Sequence, residues 1–235
     1  MDVAGSVALV TGANRGLGAS LCASLLERGA AKVYAGARDV SSVRMDGVEA
    51  IQLDITSPGD IAAAAAHCGD VTLLVNNAGI GTGTSALSAD AIEMAKQEFD
   101  TNVLGPLAVT QAFAPILGAN GGGAIVNVLS VLSWFRAPQS ALYCAAKAAS
   151  WSLTNAIRQE LHSQGTQVVA LHVGFMDTDM TAGLDVPKSS PDDVALQVMD
   201  GLEAGDFEVL ADDVSRRVRA GLSGDLTAMY PALGR

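Results

Sequence analysis

The chain has 235 residues, 49% of them hydrophobic and 17% charged, with a formal net charge of −11 and a pI near 4.5. That apolar fraction supplies a buried core and excludes a disordered, fibrous or coiled-coil chain. Such acidity leaves no electrostatic footprint for nucleic acid or an anionic membrane surface, and no apolar run approaches the roughly 18 residues of a membrane span. Cys22, Cys68 and Cys144 are scattered and never form a CxxC pair, and His67, His162 and His172 share no metal-ligand spacing. They read as reduced thiols and no metal site. The N-terminus lacks the charged flank and cleavage site of a signal peptide. The expectation is a soluble, cytoplasmic protein with no nucleic acid and no membrane as partner.

In chain order, the strand candidates are Val7–Thr11, Lys32–Ala37, 49–54, 71–76, 124–129, 167–173 and a short edge run at 207–210. Most are nearly continuous in apolar residues, as parallel strands covered on both faces are. Between them fall helical patterns at 16–28, Pro58–His67, 90–117, 140–163 and Pro191–Ala204. Ser57-Pro58 and Ser190-Pro191 each offer a capping serine followed by proline at the first helical position. Gly29 and Gly165 sit where helices commonly end on glycine. Pro106 should bend the helix at 90–117. This alternation predicts an α/β fold, a single-domain doubly wound parallel sheet spanning residues 1–235. Residues 177–213 hold eleven acidic residues and one lysine, read as a solvated acidic face.

The first strand runs into Thr11-Gly12-Ala13-Asn14-Arg15-Gly16-Leu17-Gly18. Glycines there let the backbone approach a pyrophosphate at a helix N-terminus, whose free N–H groups and dipole favour an anion. The second strand ends Gly36-Ala37-Arg38, with a guanidinium where an NAD-selective site places a carboxylate. Arg38 and Arg15 read as a clamp for a 2′-phosphate, which favours NADP(H). The alternative is a pair of solvated arginines, and Asp39 could hold a ribose hydroxyl if the turn shifted by one residue.

With Asn76-Asn77-Ala78-Gly79 after the fourth strand and Tyr143-Cys144-Ala145-Ala146-Lys147 further on, the chain resembles the short-chain dehydrogenase/reductase family, in its compact TGxxxGxG branch. The resemblance covers essentially the whole chain, in the family's order and spacing. It implies a Rossmann fold and Gly12, Asn14, Arg15, Gly16, Leu17 and Gly18 around the pyrophosphate. It implies catalytic roles for Asn102, Ser130, Tyr143 and Lys147. Tyr143 would protonate a carbonyl oxygen during reduction, and Lys147 would lower its pKa and bind the nicotinamide ribose. A phenol must drop roughly three units from its usual value near 10 to work at neutral pH. A lysine four residues on, at a Cβ separation of roughly 6 Å on one helix face, favours the phenolate. Without the other motifs, the same pair reads as a buried tyrosine and a snorkelling lysine.

Ser130, thirteen residues before Tyr143, matches the serine that hydrogen-bonds the substrate oxygen, with Ser133 as competitor. Asn102 matches the asparagine anchoring a water that links Lys147 to solvent. Asn77, Ala78 and Gly79 would flank the cofactor. Asp54, with Ile55 beside it, matches the adenine-contacting aspartate, or is a turn acid before Thr56-Ser57-Pro58. The main departure from the family pattern is Val173-Gly174 in place of Pro-Gly, with Gly174 and Thr178 keeping the spacing to the nicotinamide.

The resemblance implies a substrate lid over residues of about 178–190, short in this chain. Leu132, Trp134, Phe175, Met176 and Met180 are the expected apolar pocket walls, together with Val131, Phe135 and Leu184. They point to a hydrophobic or aromatic carbonyl substrate. The expected activity is NADPH-dependent reduction of a ketone or aldehyde, in a homodimer or homotetramer built on the helices at 90–117 and 140–163. Open alternatives are a cofactor-binding regulator without turnover and an alcohol dehydrogenase working oxidatively.

Overall fold

Seven apolar runs pair into one parallel sheet in a computed structural model that describes residues 1–137, 140–225 and 229–230. The strands are β1 (Val7–Thr11), β2 (Lys32–Ala37), β3 (Glu49–Gln52), β4 (Leu73–Asn76), β5 (Ala124–Val128), β6 (Gln167–His172) and β7 (Glu208–Leu210). Their spatial order is β3-β2-β1-β4-β5-β6-β7, all parallel. The order reverses between β1 and β4, and ligands of open α/β sheets bind in the crevice at that point, beyond the carboxyl ends of the strands.

Alternation along the strands feeds two cores. Ala8 and Val10 of β1 join a cluster with Leu21 and Leu25 of α1 (Gly16–Glu27) and Val198 and Met199 of α6 (Pro191–Ala204). Leu9 points the other way, into a cluster with Ile61 of α2 (Pro58–His67) and Val109, Phe113 and Leu117 of α4 (Gly105–Ala119). Helices therefore cover both faces, which is why the strands are apolar throughout. The serine caps form as expected: Ser57 accepts from the Asp60 amide and Ser190 from the Asp193 amide. Gly29 and Gly165 take φ of 80° and 77°.

The helix expected at 90–117 is broken. It consists of α3 (Ala91–Phe99), a π-helical turn over Asp100–Leu104, and α4. The irregularity lies in the turn before Pro106, which has no N–H to give Asn102 O four residues earlier; that carbonyl accepts from Ser150 Oγ at 2.8 Å instead. The whole run Ala91–Ala119 is long and apolar enough to cross a membrane by length and composition, contrary to the sequence reading. Here Val109, Phe113 and Leu117 are fully buried against the sheet, the packing of a core helix.

The helix at 140–163 is α5 (Ala141–Glu160) followed by a 3₁₀ turn, His162–Gln164. One helix was not foreseen: α7 (Asp213–Gly221). Its cap, Asp212, holds two amides at once. Oδ1 accepts from Ser215 N at 2.7 Å and Oδ2 from Gly174 N at 2.5 Å, tying α7 to the turn after β6. Losing a cap costs about 1 kcal/mol and stranding a partly buried amide adds a similar amount. Asp212→Ala should therefore lower stability by about 2 kcal/mol in urea unfolding, and Asp212→Asn by clearly less.

Candidate active site

The site lies at the carboxyl ends of β1, β4, β5 and β6. The chain turns from β1 into α1 at Gly12, whose φ is 65°. A Cβ at Gly18 would lie 2.2 Å from Gly12 O, so only glycine lets the loop close on the first turn of the helix. Arg15, the residue before α1, gives no side-chain cap. The amides of that first turn stay available to an anion. Leu17 is buried and Asn14 half-buried at the rim. Asn77 stitches the end of β4 to this loop. Its Nδ2 donates to Thr11 O and Gly12 O at 2.9 and 3.1 Å, while Thr11 Oγ1 accepts from the amides of Asn77 and Ala78. Thr178 brings its methyl to 3.2 Å from where a Gly16 Cβ would sit, so the lid starts directly over the glycine loop.

The two arginines part company. Arg15 Nη1 pairs with Asp179 Oδ2 of the lid at 2.9 Å, both side chains exposed. Arg38 is exposed just past β2 and has no carboxylate within ion-pairing distance among the described residues. Asp39 turns its Oδ1 onto the Ser41 amide and hydroxyl at 2.9 and 2.7 Å, which lowers its pKa. Asp54 makes a turn, its Oδ1 accepting from Thr56 N and Oγ1. Ile55 is 5% exposed and packs in the second core, so its side chain is not turned to the crevice.

Ser130 follows β5 with extended backbone and caps the 3₁₀ turn Val131–Ser133, accepting from Leu132 N at 3.1 Å. Tyr143 and Lys147 project from one face of α5. Lys147 is 5% exposed; its Nζ donates to Val128 O at 2.9 Å and lies 5.5 Å from the centre of the Tyr143 ring. Burial pulls the Lys147 pKa down to about 8, partly offset by the charge of Glu98. Burial raises that of Tyr143, Glu98 adds to the rise, and the neighbouring Ser130 hydroxyl opposes it. The Ser133 hydroxyl is buried with no hydrogen-bond partner among the described residues, leaving Ser130 as the serine beside the phenol.

Asn102 lies against the segment after β4. Its side chain clips the backbone of Ile80, accepting from Ile80 N at 2.9 Å and donating to Ile80 O at 2.8 Å. Its main-chain carbonyl accepts from Ser150 Oγ at 2.8 Å. A cavity of about 30 Å³ lined by Asn76, Asn102, Asn127, Lys147 and Thr154 lies behind the lysine, with room for one water. Gly79 permits the approach: a Cβ there would meet Asn102 Oδ1 at 2.9 Å and Lys147 Nζ at 3.8 Å.

Of the expected pocket walls, Met180 fits best. Its sulfur and the Tyr143 ring lie 4.0 and 3.6 Å from where a Gly81 Cβ would be. Phe175 and Leu184 are exposed on the lid, and Leu132 is half-buried beside Ser130. Trp134 and Met176 are not in the wall. Trp134 stacks on His172 at 3.7 Å and meets Trp151 edge-on, and Met176 packs against the first core. Phe135 stacks on Tyr230.

Two residues escaped the sequence reading. Glu98 had a signal, an acid inside an apolar periodic stretch four residues before Asn102. His172 had none. It is fully buried, its Nδ1–H donates to Ser130 O at 3.1 Å, and burial lowers its pKa from 6.5 to about 4.

Residues 6–188 match the family described as short chain dehydrogenase, and the chain belongs to it. It is 37% identical over 194 residues to a 3-oxoacyl-[acyl-carrier-protein] reductase of Staphylococcus epidermidis, covering 75% of this chain and 78% of that one. Among solved structures it resembles a short chain dehydrogenase from Burkholderia cenocepacia in complex with NADP (TM-score 0.94, 38% identity, all of both chains). A 3-ketoacyl-(acyl-carrier-protein) reductase from Brucella melitensis complexed with NADH is also similar (TM-score 0.82, 28% identity, 88% of this chain and 96% of that one). The protein is thus an oxidoreductase of the short-chain dehydrogenase class.

His172 generates a stability prediction. Its folded pKa of about 4 lies below the unfolded 6.5, so between these values the unfolded chain binds the extra proton. The stability contribution is complete above pH 6.5 and is lost as pH falls to 4, a change of about 3 kcal/mol. His172→Asn, which can still donate to Ser130 O, should flatten that acid limb in urea titrations. An unchanged limb would assign it to other groups.

Proposed function

We propose that the protein reduces the carbonyl of a hydrophobic ketone or aldehyde with NADPH, Tyr143 giving the proton. The observation that carries the reading is the convergence of Ser130, Tyr143 and a buried, cationic Lys147 beside Gly79, under an apolar lid. A cradle that a Cβ at Gly18 would fill, with unused first-turn amides, fits a pyrophosphate. Arg38, free of carboxylate partners among the described residues, fits a 2′-phosphate at the end of β2. NADPH, when bound, supplies the hydride. The NADP complex of the Burkholderia relative supports that choice, and the 3-oxoacyl reductases it resembles carry out the same class of step.

Each protein group then has a defined task. Ser130 Oγ donates a hydrogen bond to the carbonyl oxygen and holds it near Tyr143. Tyr143 would give its phenol proton to that oxygen as the carbonyl carbon gains the hydride. The C–H and O–H bonds formed would replace the C=O π bond, the phenol O–H bond and the donor C–H bond of the cofactor. Lys147 stabilises the phenolate left behind until solvent returns its proton. Its value of about 8 means the cation is present below that pH and lost above it, so reduction should decline on the alkaline side. Leu132, Phe175, Met180 and Leu184 form the apolar surface that takes the substrate's side groups. The buried free thiols Cys22, Cys68 and Cys144 support a cytoplasmic setting. Leu104, 52% exposed beside α4, supports a homodimer or homotetramer through the α4 and α5 faces.

Initial rates with NADPH over aromatic, aliphatic and steroid ketones test the activity. Tyr143→Phe should reduce kcat by about 10²- to 10⁴-fold while leaving NADPH binding intact. Undiminished turnover in that variant would refute the proton role. Arg38→Asp should weaken NADPH by about ten- to a hundredfold and NADH little, read by fluorescence titration. Equal losses for both cofactors would remove the 2′-phosphate contact.

A further inference from the structure

The segment after β4 passes both catalytic side chains. Gly79 faces Lys147, and a Cβ on Gly81 would stand 3.6 Å from the Tyr143 ring. Two residues four apart hold this segment at alternate positions. Asn102 clips Ile80. Glu98, at the end of α3, clips Thr82: its Oε1 accepts from Thr82 N at 2.7 Å and from Thr82 Oγ1 at 2.6 Å.

Glu98 is an unusual residue for such a clip. Its side chain is fully buried, and Oε2 has no hydrogen-bond partner among the described residues. A neutral side chain could accept both Thr82 bonds, so anchoring the loop does not by itself require a carboxylate. A buried charge costs free energy unless opposite charge faces it. α3 packs against α5, and the Glu98 charge acts on Tyr143, Cys144 and Lys147 there. The other charged or titratable groups around the pair are Arg136, which acts on Cys144 from the turn after β5, and His172 of β6, which interacts with Lys147.

We propose that Glu98 is a positioning residue for Tyr143 and Lys147: it pins Thr82 so that Gly81 lies against the phenol, and its buried, unpartnered Oε2 places a negative charge in the α3–α5 packing behind the pair. The proposal rests on the reductase reading for the use made of the pair's protons. Its charge is separable from its anchoring role, because glutamine retains an oxygen that can accept from Thr82. In Glu98→Gln the fully protonated pair should lose its first proton at lower pH, whichever group releases it. The alkaline limb of kcat/KM for NADPH-dependent reduction should therefore move down by about one pH unit or more.

The same shift should appear in an ultraviolet phenolate titration of the NADP⁺-bound protein, with Tyr143→Phe as the blank. That second readout needs no turnover, so the two failures separate. A silent ketone panel overturns the reductase, whereas phenolate titrations that superimpose for wild type and Glu98→Gln overturn the role of Glu98. If glutamine prevents folding, the Glu98→Leu/Thr82→Val pair removes the charge and the hydroxyl together and must show the same downward shift. A limb at the wild-type pH in that pair would reduce Glu98 to a scaffold residue.

Discussion

An ammonium group removed from water is the constraint around which this molecule is arranged. Lys147 is 5% exposed and donates to Val128 O, and the charge of Glu98 on the neighbouring α3 opposes the effect of its burial. Burying a cation is tolerable only with such partners in place. They come from the end of β5 and from α3, so α5 has to be held against both. The register that pairs Val128 with Leu171 and the packing of α3 on α5 are therefore also constraints on the catalytic distance. Once Lys147 is fixed, helical spacing puts Tyr143 on the same face without further design.

The second organising element is the segment after β4. It is stitched to the glycine loop by Asn77, to the π-helical turn by Asn102 and to α3 by Glu98. One continuous stretch of backbone thereby touches both the glycine loop between β1 and α1 and the Tyr143/Lys147 face of α5. The lid is held more weakly. Its contacts to the glycine loop are the Thr178 methyl over Gly16 and the exposed Arg15–Asp179 pair, the latter a class of interaction worth about 0–1 kcal/mol and screened by salt. The difference in anchoring separates a rigid floor from a cover able to open for substrate exchange.

Much of this was legible in the residues because it is local. Parallel strands buried on both faces write themselves as apolar runs, and the serine and glycine caps mark helix ends through chemistry within a few residues. The failures are long-range. The break at Asp100–Leu104 coincides with Asn102 reaching Ile80 and with Gly105 lying so close to Ile55 that a Cβ would meet it at 2.9 Å. Helix α7 is too polar to show a core-facing stripe. It is tied down instead by Asp212, by Arg216 donating to Leu210 O and by Arg219 paired with Glu208. For Trp134, Met176 and Ile55 the sequence conveys an apolar residue near the site but not its direction. That Arg15 also pairs with Asp179 could not be read locally, because the two lie 164 residues apart.

Val173 shows how such distant contacts replace local rigidity. A proline at this position would fix φ on its own. Valine does not, yet Val173 is 2% exposed, and its carbonyl accepts from Val131 N at 3.0 Å and from Ser130 Oγ at 3.4 Å. The β5–β6 ladder thus runs on to the serine beside the phenol. One residue later the Asp212 carboxylate takes the Gly174 amide, and its other oxygen starts α7. The turn that carries Thr178 toward the glycine loop is held from both sides by hydrogen bonds, where the family pattern uses a ring. Its geometry consequently depends on a helix some forty residues downstream, and damage to α7 is transmitted to the cofactor side of the crevice through a single carboxylate.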